Sequence, residues 1–190
     1  CAIPVSGYDY VVEGTKNMFF RQHCGMFYHH EKSLPYSSSE CLSHIPSTLA
    51  ALSKNPDYKM NQMNRYYYIE CFDEYTEESR IKAENINGDV LLISPAFDDT
   101  WPSEIAARRI MKVLDEKHFP HRHECMIYEK GSHALCFDQR YDTQEEKKAV
   151  DKMNKMMSYI LPAEKNHPQE CAEARQESYF KMVEFLKEWE

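Results

Sequence analysis

Two side chains with complementary chemistry follow two successive apolar runs. Asp98 and Asp99 come a short turn after Val90–Ile93, and His133 follows Glu124–Tyr128 across Gly131-Ser132. A histidine takes the proton of a hydroxyl or thiol as that group attacks a carbonyl. A carboxylate beside it fixes the ring's tautomer and stabilises the imidazolium that forms. Asp98 as the acid and His133 as the base therefore suit nucleophilic acyl chemistry, whereas Asp99 reads as a turn residue. The nucleophile itself is not apparent. Val5-Ser6-Gly7 ends a strand-like stretch, but Pro4 and Tyr8 occupy the flanking glycine positions of Gly-x-Ser-x-Gly, and no helical pattern follows. The nucleophile and its oxyanion-hole donors are expected upstream of Cys1.

These groups need a scaffold of strand, helix and strand. Asn87-Gly88 is a turn, and the unbroken apolar run after it suits a strand covered on both faces. Pro102 fits the first turn of a helix, where its missing N–H has no partner to lose. Ile105, Ala106, Ile110, Val113 and Leu114 then recur at helical spacing, and Pro120 closes the connection. Residues 2–6 read as a further short buried strand that runs into a loop at Tyr8–Gly14. Three strands separated by long segments predict an α/β fold with a mostly parallel sheet and flanking helices.

The remaining segments are assigned by pattern and composition. Gln144–Ile160 is predicted helical, with Val150, Met153, Met156, Met157 and Ile160 as its apolar side. So is Gln169–Trp189, with a stripe of Tyr179, Met182, Val183, Leu186 and Trp189. Pro162–Pro168 reads as a linker between them. Tyr58–Arg80 predicts a helix and Ser47–Leu52 a shorter one. Lys16–Leu34, dense in aromatics and histidines, has neither a strand nor a helix period and reads as irregular with at most one helical turn. It either covers an acyl pocket or packs as core. Three strands are few for this class, and an open edge at Ala2–Ser6 invites pairing with another chain. The sheet is therefore expected to be the C-terminal part of a larger one, with self-association through that edge.

Composition narrows the partners. A net charge of −8 argues against nucleic acid or an anionic membrane surface. Seven cysteines, an odd number without Cys-x-x-Cys, suggest reduced thiols and a cytoplasmic protein. No stretch approaches the roughly 20 apolar residues that cross a bilayer, and no leader is recognisable. His118, His121 and His123 lack a metal-ligand spacing, as does His29-His30-Glu31, so no metal or other cofactor is expected. Cys24, Cys41, Cys71, Cys125, Cys136 and Cys171 read as small apolar residues, and Cys125 in mid-strand is poorly placed for attack.

The acid-then-base order, one after each of two strands, is that of an α/β-hydrolase triad, and the residues around it resemble a particular family. Leu91-Leu-Ile-Ser-Pro-Ala-Phe-Asp-Asp-Thr-Trp-Pro-Ser103 is similar, without a gap, to Leu-Leu-x-Ser-Gly-Glu-Asp-Asp-x-x-Trp-Pro-Ser of the acyl-CoA thioester hydrolases and bile acid-CoA:amino acid N-acyltransferases. Ile81–Val90 resembles the approach to that segment, and Tyr128-Glu-Lys-Gly-Ser-His133 the block Tyr-Pro-x-Ala-Gly-His. Leu34-Pro35-Tyr36 and Ala174–Leu186 also have counterparts. Pro95 and Ser132 depart from it, each standing where the family has glycine.

The resemblance implies the C-terminal part of an α/β-hydrolase domain over 1–190, with a helical or irregular insertion at about 16–80. It implies an acyl-CoA or other acyl ester substrate, Asp98 as the triad carboxylate and His133 as the general base. Two other readings fit the residues: a hydrolase for an unrelated ester or peptide, and a truncated, non-catalytic remnant or partner subunit.

Overall fold

The computed structural model describes residues 1–16, 20–37, 75–98 and 100–189, with Ala50, Lys54, Arg65 and Ile69 between them. Apart from Ala50, the helix expected at 47–52, most of that expected at 58–80, and Asp99, Phe19, Cys41 and Cys71 lie outside the described residues. The described end of the second helix, Glu77–Ser79, is a single 3-10 turn.

A small parallel sheet organises the rest. β5 (Val90–Pro95) is buried along its whole length and pairs in parallel with β6 (His123–Tyr128), Val90 opposite His123 and Pro95 opposite Tyr128. On its other side β5 takes the segment 2–6. Ala2 bridges Val90 and Val5 bridges Ile93, both in parallel. Ala2 N–H donates to Asp89 O, Leu91 N–H to Ala2 O, and Ser6 N–H to Ile93 O, at 2.8–3.0 Å. The central position of β5 explains its unbroken apolar run, since neither face nor edge meets water.

Alternate residues of β5 serve two layers. Val90 and Leu92 pack on Ala107, Ile110 and Leu114 of helix α1 (Ser103–Glu116). Leu91 and Ile93 face Leu135 and, from the last helix, Ala174 and Phe185. Helices thus cover both faces of a parallel sheet, an arrangement compatible with the expected α/β class. Helix α2 (Gln144–Ile160) has the predicted bounds and begins with a capping box, Thr143 accepting from Glu146 N–H. It buries none of its residues, and the side chains of Met156 and Ile160 on its predicted apolar side are exposed.

Three sequence expectations need correction. Lys16–Leu34 is not irregular throughout: among its described residues, β1 (Glu13–Lys16) pairs antiparallel with β2 (Phe20–Gly25), and β3 (Tyr28–His29) with β4 (Lys32–Ser33). Apolar and polar residue types do not alternate along these short segments, and β3 is exposed along its length, so no period of two marked them. Phe27 and Tyr28 are exposed and are not core. The linker contains a short helix, α3 (Pro162–Asn166), with proline in its first turn. The last helix, α4 (Pro168–Glu188), buries Cys171, Ala174, Arg175, Ser178 and Phe185, whereas Leu186 and Trp189 of the predicted stripe are exposed. Small and polar side chains let α4 approach the loop after β6, and such residues do not register as an apolar stripe.

Candidate active site

The two parallel strands end side by side, and the turns beyond them meet. Ala96 N–H and Gly131 N–H both donate to Tyr128 O, at 2.9 and 3.1 Å. A Cβ on Gly131 would lie 3.1 Å from that of Tyr128 and 3.2 Å from that of Pro95, so a side chain there would require the turns to give by a few tenths of an ångström.

Asp98 and His133 project into this junction. His133 Nδ1 lies 3.0 Å from each oxygen of the Asp98 carboxylate. Asp98 is fully buried, and each of its other neighbours donates to it. Thr100 N–H (2.9 Å) and Trp101 N–H (3.3 Å) reach Oδ1, and Ser103 Oγ reaches Oδ2 at 2.6 Å. An acceptor-only carboxylate requires the proton on His133 Nδ1, which leaves Nε2 as the basic nitrogen. Among the described residues Nε2 has no hydrogen-bond partner, and the side chain is 28% exposed.

The turn bearing Asp98 is held from outside as well. Arg65 donates to the carbonyls of Asp98 (3.1 Å) and Trp101 (3.2 Å) and pairs with Glu104 at 2.6 Å. Trp101 stands edge-on to His133, ring centroids 4.6 Å apart at 81°, and its indole N–H donates to Ser6 O at 2.7 Å.

Ser6 belongs to this frame. Its backbone is left-handed, φ 47°, a conformation that costs a non-glycine residue and persists only where neighbours hold it. Its hydroxyl donates to His133 O at 2.9 Å, not to the ring. It therefore ties Trp101 and the histidine loop together, a role that the sequence did not signal.

Cys125, Cys136 and Cys171 offer no readier nucleophile. Burial pushes the thiols of Cys125 and Cys136 up, away from the reactive thiolate. Cys171 is buried, as expected, while Cys24, Cys125 and Cys136 are only partly so. His118, His121 and His123 do not converge: His123 instead bonds Asp115 Oδ1 at 3.0 Å. Among the described residues no three potential metal ligands gather, and no helix is long and apolar enough to cross a membrane.

Residues 22–189 match the BAAT / acyl-CoA thioester hydrolase C-terminal family, and the chain belongs to that family. No curated protein and no solved structure matches it significantly.

Proposed function

We propose that this chain supplies the acid and base of an acyl-CoA thioesterase or acyltransferase-like α/β-hydrolase, as the C-terminal part of that domain. In this reading 16–80 is an insertion into the domain. His133 Nε2 accepts the proton of an attacking serine or cysteine as a tetrahedral intermediate forms at the thioester carbonyl. Asp98 keeps Nδ1 protonated and steadies the imidazolium. The imidazolium then returns the proton to the departing CoA sulfur, and water or an amine releases the acyl group by the same base. The observation that supports this most is the Nδ1–carboxylate contact, with no described residue bonded to Nε2. The family supports the acyl-CoA substrate. The nucleophile is supplied by residues upstream of Cys1.

Turnover tests the reading. The 190 residues alone should hydrolyse neither p-nitrophenyl esters nor acyl-CoA, whereas a chain extended upstream along its reading frame should hydrolyse acyl-CoA and lose that activity in His133→Ala. Robust turnover by the 190 residues, lost in both His133→Ala and Ser6→Ala, would move the nucleophile to Ser6. Among the described residues the edge at Ala2–Ser6 is unpaired: the backbone groups of Ile3 and Val5, which alternate away from β5, bond to none of them. Through it the isolated chain pairs with a second copy. Size-exclusion chromatography should show association, and a clean monomer at all concentrations contradicts it.

A further inference from the structure

The loop carrying His133 is mounted on helices α3 and α4 through a buried charged pair that the chemistry above does not use. Ser132 Oγ donates to the Glu164 carboxylate, and the Arg175 guanidinium binds the same oxygen. Ser132, Glu164 and Arg175 are 0, 2 and 1% exposed. Arg175 Nη2 also donates to Asn154 Oδ1 at 3.1 Å. Ser132 precedes the histidine, and its hydroxyl accepts from Ala134 N–H, the residue after it, at 3.3 Å. Both neighbours of His133 are thus fixed to one oxygen, and that oxygen to the pair.

Two further contacts fix the loop's ends. Cys171 Sγ reaches Lys130 O at 3.3 Å, and Cys136 N–H donates to Ser178 Oγ at 2.9 Å. A buried ion pair contributes little net stability over apolar residues of the same size, because desolvation offsets the attraction. What it offers in return is a fixed acceptor for the Ser132 hydroxyl.

We propose that Glu164 and Arg175, acting through Ser132, are positioning residues that hold the His133 ring against Asp98. The inference rests on the acid–base reading of those two residues. Its test needs no turnover: NMR of the 190-residue chain labelled with 15N at histidine reports the Nδ1-bound proton of His133 and its exchange with water. In Ser132→Ala, which leaves the ion pair intact, exchange should quicken about tenfold, as expected for one lost charge-assisted hydrogen bond. The His123 ring, bound to Asp115, serves as the folded-state control.

Glu164→Leu with Arg175→Met, an apolar pair of similar volume that leaves no buried charge, should quicken exchange in the same way. A proton present in the wild type and unchanged in both variants would assign the network to core stability alone and overturn the inference. A wild-type ring with no proton shared with Asp98 contradicts the acid–base reading itself and removes the basis of this inference.

Discussion

Two aspartates lie beside α1 and are almost equally buried, Asp98 at 1% and Asp9 at 4% exposed, yet their surroundings differ. Asp98 receives two backbone N–H groups, the Ser103 hydroxyl and the His133 ring, so both oxygens are satisfied. Asp9 pairs with Arg109, Nε at 3.0 Å from Oδ2, with Arg80 acting on it at longer range, and its Oδ1 is buried without a hydrogen bond. Burial pushes the Asp9 carboxyl up to about 6, against the opposing pull of Arg109. Burial alone thus penalises a carboxylate, and the supply of aimed donors decides whether it serves as a fixed acceptor.

The largest predicted effect separates the two by function. Asp98→Asn in the upstream-extended protein should lower kcat by about 10⁴-fold, because the amide no longer enforces the Nδ1–H tautomer. Asp9→Asn should leave kcat unchanged. Equal losses in the two variants would break the contrast.

The next effect is on stability. Asp9 binds its proton more tightly in the folded chain than in the unfolded one, where 3.8 applies. Its contribution is therefore fully present below pH 3.8 and is lost as pH rises through about 6. The loss is about 3 kcal/mol, an order-of-magnitude figure. Urea unfolding across pH 4–7 should show this slope, and Asp9→Asn should flatten it. An unchanged slope in that variant would assign it to other groups.

The smallest effect tests how evenly Asp98 is held. Removing its 2.6 Å contact in Ser103→Ala should cost about 1–2 kcal/mol in urea unfolding. A cost near zero would mean that a water replaces the hydroxyl and that Asp98 is less enclosed.

Part of this was legible in the sequence. The apolar run of β5 and the helical spacing in α1 and α2 each matched a local rule, and the observed bounds follow them closely. The order of Asp98 and His133 pointed to a pair because parallel neighbouring strands bring their C-terminal ends together. The hairpins at 13–16/20–25 and 28–33 stayed hidden because apolar and polar residue types do not alternate along them. Glu164 and Arg175 stayed hidden because charged residues on amphipathic helices usually face water, and only contacts across 32 and 42 residues bury the network they share with Ser132 and anchor Cys136 on Ser178. Ser6 illustrates the reverse case, a residue whose motif context argued against attack and whose hydroxyl bonds to a carbonyl.

The most direct measurement of the central claim is the protonation pattern of the neutral His133 ring, read by 15N NMR in the wild-type chain and in Asp98→Asn. Here the proton sits on Nδ1 in the wild type and moves toward Nε2 when the carboxylate becomes an amide. A ring carrying its proton on Nε2 in the wild type, or indifferent to Asp98→Asn, would contradict the pairing on which the acyl-transfer reading depends.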